Sequence, residues 1–443
     1  MAYPTQRSAG FDHPHSLNRL AKGLWSDERP GARAPAHGRP KTGDFRELDV
    51  VRPIAWLCVA VTLMSSCSAA QSVDVVIGYL REPHSKIRIS QIDVPAENDG
   101  VSGAKLAIDD DNTTGRFMGQ SFSLVERTLE KDEAPGEALD ALAKQGAAFV
   151  IADLEAPALL QAADAARNLN LVLFNIRATD DRLRQEDCRA NVIHVAPSRA
   201  MLADGLAQYL IWKKWRRWLL VVGSHEADKL FADALRRSAK RFGAAIVAER
   251  EFIDTGGARR TDSGLTDIQR EMPVLTQEAP NYDVLVAADD SEVFAGYLPY
   301  RTWDPRPVAG SAGLTPTSWD AAFDQWGAIQ LQSRFFRAYR RPMTALDMQG
   351  WTAARMIGEA AARTDSTQPE TLVAYLLGPD FSVAAFKGQM LTLRDWDLQL
   401  RQPILLFDGR NTVSVSPQEG FLHPVSGLDT LGFDRPESKC KFR

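Results

Sequence analysis

Long apolar runs are scarce in this 443-residue chain. One stands out, at residues 54–64. It falls short of the roughly 20 residues that span a bilayer, and nothing after it is apolar enough to try. Net positive charge is also missing: 52 Lys and Arg face 57 Asp and Glu. A nucleic-acid binder or a polybasic membrane binder would carry an overall positive field, so both classes are disfavoured. The seven His are scattered, with no pair at zinc spacing, so no metal site is expected. Asp109-Asp110-Asp111-Asn112 lacks the alternating spacing of a calcium loop. Gly310-Ser311-Ala312-Gly313 lacks the Lys-Ser/Thr of a phosphate cradle. Ser224-His225-Glu226 are consecutive, and neighbours in sequence do not converge as nucleophile, base and orienter must. The expectation is therefore a protein that is not an enzyme.

The 54–64 run has a use. Arg52 precedes it and Ser68-Ala69-Ala70 follows. A charged start, a short apolar stretch and a small-residue site make a secretory signal, at residues 51–70. The chain is then expected in the periplasm, with anchoring through a lipid on Cys67 the lesser expectation, because Met64 and Ser65 are weak occupants of a lipoprotein box. Residues 1–50 are rich in Pro, Arg, Gly and His without apolar period. Either they are an upstream stretch and translation begins at Val51, or they are a disordered leader. We expect the first, because such signals lie at chain starts. Residues 1–70 hold 9 of the basic and 6 of the acidic side chains, so the remainder carries a net charge near −8.

Cysteine is rare. Of four, Cys58 and Cys67 lie in the signal, which leaves Cys188 and Cys440. In an oxidising compartment this pair is a natural disulfide; the alternative is two free thiols exposed to oxidation.

After residue 71 short β-branched or apolar runs alternate with amphipathic stretches. Strands are expected at 73–79, 121–129, 149–152 and 171–175, with helices at 100–112, 136–145 and 156–168. The rhythm restarts with a helix at 200–214, strands at 218–222, 245–250, 284–288 and 308–310, and helices at 227–242 and 268–275. Helices at 321–339 and 348–364 precede β-rich segments at 404–407 and 412–415. Such alternation implies α/β structure: two doubly wound, Rossmann-like lobes of parallel sheet. Their strand ends face each other across a ligand cleft. Trp212, Trp215, Trp218, Trp326 and Trp351 read as core residues at helix or strand spacing.

Gly103-Ala104-Lys105-Leu106-Ala107-Ile108-Asp109-Asp110-Asp111-Asn112 resembles the first helix of type I periplasmic binding proteins, the branched-chain amino-acid receptors of ABC importers. Trp351 to Glu359 and Phe386-Lys387-Gly388 resemble their returning helix and last β unit. That resemblance implies lobes joined by a multi-strand hinge. Lobe 1 is then residues 71–197 and 321–376, and lobe 2 residues 198–320 and 377–443. A narrower resemblance rests on Cys188-Arg189-Ala190-Asn191, on Ala196-Pro197-Ser198-Arg199-Ala200-Met201-Leu202-Ala203-Asp204 and on Tyr297-Leu298-Pro299-Tyr300. It extends to Arg306-Pro307-Val308-Ala309-Gly310 and to Leu428-Asp429-Thr430-Leu431-Gly432-Phe433-Asp434-Arg435-Pro436-Glu437-Ser438. These look like the ABC-type binding protein of pyrroloquinoline quinone (PQQ)-dependent alcohol dehydrogenase systems. The resemblance implies PQQ as bound ligand rather than catalyst, with an ABC permease and the dehydrogenase as partners.

PQQ is a flat tricyclic quinone with three carboxylates. Arg binds carboxylates through a planar fork, and aromatic faces stack on flat π-systems. Strand-end loops supply Arg81 and Arg88, then Arg177, then Tyr300, Arg301, Trp303 and Arg306. Thr315, Thr317, Ser318 and Trp319 follow in a later loop. The expected ligand set is Arg81, Arg177, Tyr300, Arg301, Trp303 and Arg306. Two other readings stand beside it: a binding protein for an amino acid or small alcohol-oxidation metabolite, and a sensor or assembly factor for the dehydrogenase.

Overall fold

The computed structural model describes residues 73–83, 94–256 and 264–442. The leader, the 51–70 signal, Cys67 and Arg88 lie outside them. β1 (Val73–Arg81), β2 (Gln120–Thr128), β3 (Phe149–Asp153), β4 (Val172–Asn175) and β5 (Val192–His194) form a parallel sheet in the order β2-β1-β3-β4-β5. Helices α1 (Val101–Met118), α2 (Pro135–Lys144) and α3 (Ala156–Asn168) make its crossovers. Alternation assigns the two faces. Val75, Ile77, Phe149, Ile151 and Phe174 enter one core, while Leu80, Val150, Ala152 and Leu173 enter the other. A sheet covered on both sides needs such continuous apolar strands.

The second sheet repeats the plan. After α4 (Arg199–Trp212) come β6 (Arg217–Gly223), α5 (Glu226–Phe242), β7 (Ala245–Phe252) and α6 (Gly264–Thr276). Then come β8 (Val284–Ala288), α7 (Leu298–Arg301) and β9 (Val308–Gly310), and the order is β7-β6-β8-β9, all parallel. Helix α4 is apolar on nearly every side, as its setting demands. It packs between this sheet and an antiparallel one made of β10 (Thr315–Thr317), β13 (Ile404–Phe407) and β14 (Thr412–Ser416). Ser198 Oγ caps it, accepting from the Met201 N–H at 3.2 Å.

Between β10 and β13 the chain returns to the first sheet through α8 (Ala328–Tyr339), α9 (Ala345–Thr364), α10 (Pro369–Leu376) and the pair β11 (Val383–Ala384) and β12 (Met390–Leu391). Phe381, Val383, Ala385 and Leu391, which the sequence reading gives to lobe 2, pack into the first core. The helix expected from 321 starts only at Ala328, because Trp326 and Gly327 both turn through positive φ. Trp319, expected in a strand-end loop, is buried in the first core. Trp212, expected inside, is 55 % exposed. It sits at the last turn of α4, where Lys213 lies over its ring at 5.7 Å.

Helix α9 lies against α1 closely enough to require glycine. A Cβ on Gly103 would sit 1.7 Å from the Asp347 carbonyl oxygen. At the same corner Thr344 and Asp347 form a capping box on α9, and Asp347 Oδ1 also accepts from the Gly100 N–H at 2.9 Å. One carboxylate thus joins two helix starts. Cys188 and Cys440 form a disulfide, Cα to Cα 5.6 Å, which ties the C-terminal segment to the loop before β5.

Gly103→Ala should lower unfolding stability in urea by about 2 kcal/mol or more, since backbone must move to admit the methyl. Gly296→Ala, in open space with an ordinary backbone, should stay within about 0.5 kcal/mol. Equal effects would contradict the close helix contact. Reduction of the disulfide should lower stability by up to about 5 kcal/mol, the chain-entropy figure for a very long loop. Two free thiols by intact mass in exported protein would contradict the bridge.

Candidate functional site

A strand order of 2-1-3-4-5 reverses direction between β1 and β3, and crossovers on either side leave the two strands by opposite faces. In open α/β sheets the crevice outside the carboxyl ends at this point takes the ligand. Here it is bordered by Arg81, the last residue of β1, and Asp153, the last of β3. Arg177 follows β4 by two residues. Its backbone N–H donates to Asn175 Oδ1 at 3.1 Å, in a turn that aims the side chain back along the edge.

These side chains converge on a buried carboxylate. Tyr79 donates its hydroxyl to Asp153 Oδ2 at 3.2 Å. Arg81 Nε is 3.9 Å from the same oxygen, and Arg177 Nη1 is 3.6 Å from Oδ1. Arg177 also meets Glu155 Oε1 at 3.1 Å and donates to the Glu82 carbonyl at 3.2 Å. Arg81 donates to the Glu97 carbonyl. Burial pushes the Asp153 carboxyl up to about 6 against the pull of Arg177 and Arg81. Burial and the Asp153 charge raise the Tyr79 hydroxyl well above its ordinary value.

The facing carboxyl edge, between β6 and β8, is differently built. Asp289 is spent on structure, accepting from the N–H groups of Val293, Phe294 and Ala295 at 2.7 to 2.9 Å. Its neighbour Asp290 meets Arg199 Nη2 at 2.6 Å. Arg199 Nη1 holds Asp180, beyond β4, at 2.7 Å. One guanidinium thus bridges the two sheets' carboxyl edges. Burial works against its charge, but Asp290 and Asp180 outweigh that and raise its pKa. His225 Nε2 shares a hydrogen bond with Asp254 Oδ2 at 2.9 Å, and Ser224 Oγ accepts from the Asp254 N–H at 3.0 Å. The serine and histidine are not bonded to each other in a nucleophile–base pair. Among the described residues no His, Cys, Asp and Glu group is placed to hold a metal, and no helix is long and apolar enough to cross a membrane.

Behind the edge lies the hinge. Arg184 is buried, and its guanidinium donates to Gln399 Oε1 at 2.8 Å and to the Ala178, Asp180 and Ala196 carbonyls at 2.9, 3.1 and 2.7 Å. Burial pulls its pKa down to about 10, which leaves it charged at neutral pH. Gln399 Nε2 lies at 3.1 Å from each of the His194, Ala196 and Leu400 carbonyls. Two crossing segments are thus bound into one polar core.

Arg81 and Arg177 therefore come together at the switch point. Tyr300, Arg301, Trp303 and Arg306 do not. Helix α7 carries the chain back across the sheet, and residues 302–307 lie at the amino edge, where β9 begins. The Leu285 N–H donates to Pro307, Arg306 meets Asn281 Oδ1 at 3.2 Å, and the Trp303 N–H meets Thr276 at 2.8 Å. Arg301 meets Gln269 Oε1 at 3.3 Å. Tyr300 is 91 % and Trp303 62 % exposed. The β8–β9 crossover reads as one strand-end loop because its helix spans a single turn; its cleft-facing part is Asp289 to Glu292. Asp153, Asp180, Arg199 and Arg184 were missed. Asp153 had a signal, a lone acid closing an otherwise apolar run.

The raised pKa of Asp153 has a sign. Its folded value exceeds the ordinary one near 4, so its contribution to stability is full below pH about 4 and is lost as pH rises through about 6. Asp153→Asn should remove that part of the slope between pH 4 and 6 in urea unfolding. An unchanged slope would contradict the buried carboxylate.

A sequence model of the family described as "Periplasmic binding protein" matches residues 94–269. No curated protein matches significantly. Solved structures do. A branched-chain amino-acid ABC transporter periplasmic ligand-binding protein from Burkholderia xenovorans is 16 % identical, with TM-score 0.65 over 83 % of this chain and 99 % of that one. The leucine-, isoleucine-, valine-, threonine- and alanine-binding protein of Brucella ovis, in its closed conformation, is 13 % identical with TM-score 0.62, over 84 % and 99 %. A solute-binding protein of an ABC transporter from R. palustris, in complex with benzoate, is 15 % identical with TM-score 0.58, over 84 % and 100 %. The two parallel-sheet lobes of this chain have the type I periplasmic-binding-protein fold.

Proposed function

We propose that this chain is a periplasmic solute-binding protein of an ABC-type system, and that it takes a carboxylate-bearing small molecule between the carboxyl edges of its two sheets. The observation that carries this reading is the convergence of Arg81 and Arg177 on Asp153 at the switch point. Two guanidiniums there face the cleft side of the sheet and share one buried acid. A ligand carboxylate competes with Asp153 for them, and protonation of Asp153 near pH 6 removes the competitor. The disulfide suits an oxidising compartment. An ABC permease is the partner this function requires.

PQQ is the ligand that the subfamily resemblance implies, and its three carboxylates suit paired arginines. The dehydrogenase it serves is then a second partner. A smaller zwitterion is the second reading. It is favoured by the acids interleaved with the arginines, Asp153 and Glu155, which suit an ammonium group. The described residues also place no exposed Trp or Tyr along the carboxyl edges.

Titration of the purified protein with PQQ and with leucine, by absorbance and calorimetry, separates the two. On the first reading PQQ binds, Arg177→Ala weakens it at least tenfold, and wild-type affinity rises from pH 7 to pH 5. The tenfold figure is one charge-assisted hydrogen bond, about 1.5 to 3 kcal/mol. Leucine binding with the same Arg177 dependence, without PQQ binding, supports the second reading. Binding of either molecule that ignores Arg177→Ala would overturn the site.

A further inference from the structure

Away from both carboxyl edges, α1, α8, α9 and the β11–β12 turn line an open pocket of about 790 Å³. Asp110, on its wall, is ten residues into α1 from Gly100, so about 15 Å along the helix from the carboxyl edge. The volume is within the roughly 300 to 1,000 Å³ of small-molecule sites.

Its wall is aromatic and charged. Trp326 is 64 % exposed, although the helical pattern reads it as core. Its backbone has φ +55°, a left-handed conformation that a bulky residue adopts only under strain. The indole rests against Gly388, where even a Cβ would come within 2.7 Å of the ring. Trp351 and Phe386 lie with ring centroids 5.5 Å apart. Trp351 Nε1 donates to Asp110 Oδ2 at 3.4 Å, and Arg334 pairs with the other oxygen of Asp110. Arg355, also in the wall, pairs with Asp111 and meets Glu359 at 3.2 Å. Burial pushes the Asp111 carboxyl up to about 7 against the pull of Arg355. The lining thus sets Arg334, Arg355 and Lys387 against one lining carboxylate, Asp110, beside an exposed indole, while Asp111 and Glu359 pair with Arg355.

Neither feature serves the core. A tryptophan 64 % exposed gains little by burial, and Arg334 has Asp110 as its one ion-pair partner among the described residues. Both suit a flat molecule that stacks on the indole and sets a negative group against Arg334. We propose that this pocket is a second small-molecule site, for a flat aromatic anion, distinct from the inter-sheet cleft.

The test titrates the full-length protein with 2-naphthoate, following tryptophan fluorescence and calorimetry. Saturable binding is expected, with quenching that is reduced in Trp326→Ala. Trp326→Ala and Arg334→Gln should each weaken affinity about tenfold, and cyclohexanecarboxylate, which lacks the π-face, should bind more weakly than naphthoate. Circular dichroism of both variants establishes their fold, and Arg334→Gln decides the matter should Trp326→Ala misfold. Absence of saturable binding overturns the proposal. So does affinity unchanged by both substitutions. Binding that is lost in Arg177→Ala yet kept in Trp326→Ala and Arg334→Gln places naphthoate in the cleft and also overturns it.

Discussion

A carboxylate buried at the end of β3 sets the chemistry of the first lobe's rim. Removing Asp153 from water disfavours its charge, and the structure tolerates it because a tyrosine hydroxyl and two guanidiniums surround it. The same arrangement fixes those guanidiniums at the one place in the sheet where crossovers part. Arg81 is also held by the Glu97 carbonyl, and Arg177 by Glu155 and the Glu82 carbonyl. With Asp153 they are held in place beforehand, so for a ligand at this rim the entropy of ordering them would already be spent in folding.

Two other arginines tie the facing rim and the hinge to this one. Arg184 satisfies its buried donors with carbonyls of the loop after β4, with the Ala196 carbonyl on the crossing segment and with Gln399, so the hinge is a polar core with defined geometry. Arg199 reaches from the start of α4 to Asp180 on one rim and Asp290 on the other. On the proposed binding function, closure would be a shift of population toward the form the ligand prefers, and Asp180 and Asp290, which hold Arg199 between the rims, would tune it.

Much of the fold was legible because period and burial agree. Residues 149–152 are apolar without a break and form a strand buried on both faces, while α5 shows its amphipathic stripe and ends at Gly243. Arg81 and Arg177 were legible as the first cations past apolar strands. The 300–306 loop misled because a one-turn helix carries no periodic signal, so the return to the amino edge was invisible. Trp326 misled for a related reason: the helix starts two residues later, and a left-handed turn swings the indole outward. The hinge could not be read at all. Arg184 and Gln399 are 215 residues apart, and nothing local in either marks the partner.

The central claim is that ligand binds between the carboxyl edges and not at the exposed aromatic loop. Amide hydrogen exchange of the purified protein, with and without saturating PQQ, tests it most directly. The account predicts slowed exchange at residues 79–83, 153–156 and 175–180 on one rim and 289–292 on the other, with 300–306 unchanged. Protection confined to 300–306, or absent from both rims while PQQ is bound, would contradict it.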